Sequence, residues 1–165
     1  MSARGVHFAV TAEQHARLLD AAGNDDTLMA VVENIEETWD EEFLAESDKA
    51  WDAMHRCLTD GSLLYESGEY PLNHVICGGR QLFKCDDHTV ALVTSEQVRD
   101  VASALEPVTK AWFRERYFSL LRQDDYNGEI GDEDFEYTWD WFENVRGLYK
   151  KAAASDRAVI FTVDA

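Results

Sequence analysis

Two nearly identical junctions constrain this chain most: Val10-Thr-Ala-Glu-Gln14 and Val93-Thr-Ser-Glu-Gln97. Each follows an apolar stretch, Val6-His-Phe-Ala-Val10 or Thr89-Val-Ala-Leu-Val93, with the length and β-branched content of a strand. Each then places glutamine three residues after threonine. That spacing is a capping box: the threonine hydroxyl accepts the third helical N–H, and the glutamine side chain reaches back to the threonine N–H. Strands are therefore expected to end at Val10 and Val93, with a helix opening directly after each. Shared capping chemistry is enough to produce the echo, and duplication of a βα unit would produce it too.

The rest of the chain continues the alternation. A first helix carries Ala12, Ala16, Leu19 and Ala22 on one face and stops at Gly23. A second follows Asp25 and Asp26, with Leu28, Val31, Val32, Ile35 and Trp39 at helical spacing. A third, after Ser47, presents Ala50, Trp51, Met54 and Leu58 as a buried stripe and ends at Thr59-Asp60-Gly61. The stretch from Ser62 to Tyr70 reads as loop, and His74–Cys77 fits a buried strand or a short helix. Helices are expected from Ser95 to about Leu105, from Lys110 to Leu121, and from Asp132 to about Ala153. In the last of these, Phe135, Trp139, Phe142, Val145 and Tyr149 form an aromatic stripe facing the core, while Tyr137 and Trp141 lie off its centre, where one of them is a candidate to line a cleft. Ala158–Val163 closes the chain as a strand. This alternation predicts a three-layer α/β fold: one domain over residues 1–165, with a mixed sheet of about four strands flanked by helices on both faces.

Charge is the extreme property. Thirty-three acidic against fifteen basic residues leave a formal charge of −18. Eight acids and no base lie between Glu33 and Asp48; nine acids and no base lie between Asp124 and Glu143. Such a surface repels phosphate backbones and anionic lipid, which argues against nucleic-acid and membrane partners. The two acidic stretches read either as a solvated, soluble face or as a docking surface for a basic protein partner. No apolar run approaches the roughly 18 residues of a membrane span, and the N-terminus lacks the apolar stretch of a secretory signal. Three cysteines without a Cys-x-x-Cys pair fit reduced thiols and a cytoplasmic location.

Chemistry-bearing residues are few. Lys49, Trp51 and His55 adjoin or lie within the third helix, Trp51 and His55 four apart on one face, and Gly78-Gly79 would let a ligand approach the backbone closely. These five are the candidate ligand-binding residues. His55 has the chemistry of a general base, yet no Ser-His-Asp or Cys-His arrangement surrounds it, so no catalytic residue is assigned. His74-x-x-Cys77 and Cys85-x-x-His88 supply zinc-type ligands in an order reversed from familiar fingers. Counting from Gln123, a calcium-loop pattern places Asp125, Asn127 and Asp134 at ligand positions and Gly128 at the turn. Its first position is glutamine and its last is the shorter aspartate. The reading is that neither metal nor cofactor is bound.

Asp48-Lys-Ala-Trp51-Asp-Ala-Met54-His55 with Leu58-Thr59 resembles the signature of the YfbM-like family, a bacterial family of unknown function. Pro71-Leu72, Gly78-Gly79, Leu92-Val93-Thr94 and Tyr149-Lys-Lys-Ala152-Ala153 continue the likeness in order. The resemblance implies a three-layer α/β fold and brings no activity, cofactor or catalytic residue with it. Function is therefore expected from the charge: a non-enzymatic interaction module with an acidic docking face, serving to neutralise a toxin or to act as an adaptor. The alternative is a small-molecule-binding protein or enzyme with a cleft near Lys49, His55 and Gly78-Gly79.

Overall fold

The parity of the last strand residue decides which face of the sheet each helix covers. The computed structural model describes residues 3–85 and 88–164. Among these, β1 (Arg4–Val10), β2 (Leu44–Asp48), β3 (Arg80–Cys85), β4 (His88–Val93) and β5 (Ala158–Asp164) form one open sheet in the order β2-β1-β5-β4-β3. At the end of β1, Val10 points to the same side as Phe8, and α1 (Ala12–Ala21) and α2 (Asp25–Thr38) cover that side. At the end of β4, Val93 points to the opposite side, where α3 (Trp51–Leu58), α4 (Ser95–Leu105), α5 (Lys110–Leu120) and α6 (Asp132–Ala154) lie. Both capping boxes form. Thr11 Oγ1 accepts from Gln14 N at 3.1 Å and Gln14 Oε1 accepts from Thr11 N at 2.8 Å; the pair at Thr94 and Gln97 measures 3.3 and 3.0 Å. Nearly identical junctions thus send their helices to opposite faces.

The expected α/β class and the helices on both faces hold, with two corrections. The sheet has five strands rather than about four, and it is antiparallel throughout rather than mixed. The missed strands β2 and β3 lie at the two edges, where half the side chains meet water and charge is favoured. β2 was hidden inside an acidic run, and a bulge between Gln81 and Phe83 breaks the alternation of β3. The antiparallel pairing follows from the connections. α1 and α2 pack as a hairpin, so the chain returns to the end at which β1 stopped. α6 likewise returns it to the end of β4, where Val93 pairs with Val159.

On the α1/α2 side, Leu28, Val32 and Ile35 bury against Phe8, Val10 and Ile160, each contributing about 1.5–3 kcal/mol. α1 buries Leu18 and Ala21 instead of the expected stripe through Leu19, which is exposed. Trp39 ends α2 in a left-handed conformation (φ 45°) and meets Phe8 edge-on at 5.9 Å between ring centroids. On the other side the aromatic stripe of α6 is core as expected: Phe135, Trp139, Phe142, Val145 and Tyr149 are buried, and Phe113 and Tyr117 of α5 join them. His74–Cys77 forms neither strand nor α-helix. A single 3-10 turn, Leu72–His74, leads into buried Val75, Ile76 and Cys77.

Candidate functional site

One wall of the site is the turn that ends β2. Asp48 takes a left-handed conformation (φ 47°), and the chain enters α3 through Lys49 and Ala50 with no side-chain cap. Met54 and Leu58 bury as expected. Trp51 does not follow them fully: it is half-buried, its ring 5.9 Å from Phe161 and its indole N–H donating to Ala3 O at 3.0 Å. It stands at the margin of the core because α3 starts where an edge strand ends.

The loop before α6 and the first turns of that helix make the other wall. Gln123 organises the loop: its Nε2 donates to the carbonyls of Tyr126 (3.2 Å) and Gly128 (2.5 Å), and its Oε1 accepts from Ile130 N (3.0 Å). In a calcium loop, carbonyl oxygens converge on the ion; here two of them converge on an amide. Asp125 turns away to pair with Arg56 at 2.5 Å. Asp134 Oδ2 accepts from the hydroxyls of Tyr117 (2.5 Å) and Tyr126 (2.9 Å). Asp125, Asn127 and Asp134 therefore do not converge. Among the described residues no three or more His, Cys, Asp or Glu side chains are placed to hold a metal ion.

Between the walls lies a cleft of about 320 Å³. Its aromatic surface comes from Trp51, Tyr126 and Tyr137, and its charges from Lys49, Asp52 and Asp134. Gly128 is needed where it stands, because a Cβ there would come within 2.4 Å of Tyr126 Oη. Tyr137 ties the two walls together, donating its hydroxyl hydrogen to Asp48 and accepting Lys49 N–H at 3.3 Å. Burial, reinforced by that bond to Asp48, pushes the Tyr137 hydroxyl up to about 12. Burial and the Asp134 carboxylate hold Tyr117 and Tyr126 well above the ordinary tyrosine value. All three hydroxyls therefore remain donors at neutral pH.

The structure gathers Lys49 and Trp51 from the ligand-binding candidates with Asn127 and Asp134 from the loop, and leaves the others elsewhere. His55 is fully buried; its Nε2 contacts Leu64 O at 2.8 Å, so Nε2 carries the hydrogen, and burial lowers its basicity. Gly78 and Gly79 serve close chain approach: a Cβ would stand 1.9 Å from Asn73 O at the first and 2.5 Å from Leu92 O at the second. The residues missed in the sequence are Asp52, Tyr126 and buried Arg56, whose guanidinium bonds Asp52 at 2.6 Å and sits 5.8 Å from the Tyr126 ring centre. The Asp52–Arg56 spacing of four was a readable signal for one helix face. Nothing local announced Tyr126.

A five-stranded antiparallel sheet covered on both faces, with an acid-rimmed and aromatic-walled cleft at the end of an edge strand, defines the class. Over residues 1–162 the sequence matches the family described as a domain of unknown function (DUF1877), and the chain belongs to that family. Among solved structures it is similar to YfbM from Escherichia coli, described as a protein of unknown function. That likeness has a TM-score of 0.72 and 17% sequence identity, and it covers 99% of each chain. At this identity the likeness shows the fold. No curated protein matches the sequence. No helix among the described residues is long and apolar enough to cross a membrane.

Proposed function

We propose that this chain is a non-enzymatic interaction module whose acidic face docks a basic partner protein, in a toxin-neutralising or adaptor role. The observation that carries this reading is the meeting of the two acidic stretches along β2 and α6. Tyr137 on α6 bonds Asp48; Asn144 Nδ2 donates to Glu46 O at 2.9 Å; Lys151 Nζ donates to Glu42 O at 2.7 Å. Glu41, Glu42, Glu46, Asp140 and Glu143 of these two stretches are exposed, with Glu143 paired to Arg146 and Lys151 the cation beside Glu42. Like charges concentrated in this way repel one another and raise the local concentration of a cationic partner.

Salt and charge removal test it together. The melting temperature is expected to climb from low to physiological salt, where the screening length falls to about 8 Å. A basic protein should raise it further by binding the folded state, and duplex DNA should not. Neutralising Glu41, Glu46 and Asp140 as amides should remove most of both effects, whereas neutralising Asp20, Glu69 and Glu106 should remove little. Equal losses from the two triple variants would mean diffuse charge and would sink the docking reading. For the alternative, a small-molecule-binding protein or enzyme with a cleft near Lys49, His55 and Gly78-Gly79, the support is a cleft lined by Lys49 and Trp51 but not by His55, Gly78 or Gly79.

A further inference from the structure

The cleft between α3 and α6 combines features that a docking face does not require. It is an open cleft lined by three aromatic side chains, and its volume of about 320 Å³ lies at the lower end of ligand pockets, which run about 300–1,000 Å³. Each of its two carboxylates is held in place through one oxygen, Asp52 Oδ1 by Arg56 and Asp134 Oδ2 by Tyr117 and Tyr126. The second oxygens, Asp52 Oδ2 and Asp134 Oδ1, have no hydrogen-bond partner among the described residues. Lys49 supplies a cation to the same lining. Its neighbour Asp48 does not neutralise it, being engaged by Arg4 at 3.3 Å and by Tyr137. A purely cationic ligand would leave Lys49 opposed, and a purely anionic one would leave both carboxylates opposed. A molecule with a positive group at one end and a carboxylate at the other satisfies all three.

We propose that this cleft binds a basic amino acid with a free carboxylate, its cationic head toward Asp52 and Asp134 and its carboxylate toward Lys49. A guanidinium head fits better than an ammonium, because its plane stacks on aromatic faces such as Trp51 and Tyr137 and its fork reaches two carboxylate oxygens. Asn127 adds an amide to the lining for the α-amino group. The site stands apart from the docking reading: it needs the cleft and not the seam of acids along β2.

The test is calorimetric titration of the whole chain with L-arginine, L-citrulline and agmatine. Citrulline keeps the shape of arginine and loses the charge of the head; agmatine keeps the head and loses the carboxylate. Arginine is expected to bind at least about tenfold tighter than either, the factor that follows from losing a charged hydrogen-bonding partner. Lys49 is exposed, so Lys49→Ala should fold, and it should weaken arginine at least about tenfold while agmatine, relieved of a like charge, binds no more weakly than before. N-acetyl-L-arginine separates two sources of this chemistry: binding as tight as arginine points to the C-terminal arginine of a polypeptide, and weaker binding to the free amino acid. No heat at millimolar arginine, equal binding of arginine and citrulline, or indifference to Lys49→Ala each overturns the proposal. The triple variant at Glu41, Glu46 and Asp140 should bind arginine as the parent does, so this site and the docking face fail separately.

Discussion

The two sides of the sheet are built from different materials. The α1/α2 side is a thin aliphatic layer: Leu18, Leu28, Val32 and Ile35 against Phe8, Val10, Leu92 and Ile160, with Thr162 the buried polar side chain on that face. The four-helix side is thick and aromatic, and it buries His7, Ser47, His55, Arg56 and Thr138. Each of these polar groups costs free energy unless it finds a partner. His7 bonds Val75 O at 2.7 Å, Ser47 bonds Gly5 O, Thr138 bonds Asp134 O, and Arg56 bonds two aspartates. The aliphatic side holds the sheet together with little specificity; the aromatic side positions groups, and the cleft opens on that side.

The contrast can be broken, starting with the largest expected effects. Phe142→Ala, deep among Phe113 and Trp139, should cost about 3–5 kcal/mol, and Leu28→Ala on the thin side about 2–5 kcal/mol. Denaturant midpoints would measure both, and near-zero cost at either would show that side to be adaptable. Arg56→Ala should cost about 3 kcal/mol by leaving Asp52 without its buried partner, whereas Arg56→Met should recover part of that through apolar contact. If Met were no better than Ala, the guanidinium hydrogen bonds would matter more than the volume.

Acid should distinguish the sides next. Burial lowers the folded-state value of His7 to about 4, against an ordinary value of 6.5. Between those values the unfolded chain binds more protons than the folded one, so stability falls as pH drops from 6.5 toward 4 and is fully present above 6.5. The loss attributable to His7 is about 3 kcal/mol, and burial of His55 acts in the same direction. His7→Phe should flatten the curve over that window; an unchanged slope would show that His7 protonates in place. The smallest effects should come from the capping boxes. Thr11→Ala and Thr94→Ala should each cost about 1 kcal/mol, and equal costs would show that local capping is indifferent to which side the helix covers.

What could be read in the sequence follows the same division. The three central strands and both capping boxes were legible because each depends on neighbours within four or five residues. The edge strands were not, since β2 and β3 owe their state to pairing with β1 and β4 across the chain. Lys49 and Trp51 were identified from their own segment. Asn127 and Asp134 were named for a calcium loop and Tyr137 as a candidate cleft residue, but their meeting with Lys49 was not legible, because Tyr137 lies 88 residues from the Lys49 N–H it accepts. His55 misled for a physical reason: a histidine beside apolar residues looks the same in sequence whether it lines a cavity or satisfies one buried carbonyl.

The position of β5 in the sheet has a consequence for how this protein is made. Ala158–Asp164 is the last strand in the chain order and the middle strand in space, paired on one side with β1 and on the other with β4. Without β5 the strands of the sheet can join only as two separate pairs, β1 with β2 and β3 with β4, whose inner edges would lie open. Isolated two-strand pairs are marginal in water, and exposed edges invite pairing with other chains. Assembly of the sheet is thus a late event, awaiting the final strand rather than proceeding residue by residue. A ribosome stalled before Ala158 should yield a chain that proteases cleave readily, and release of the last strand should turn it resistant in a single step.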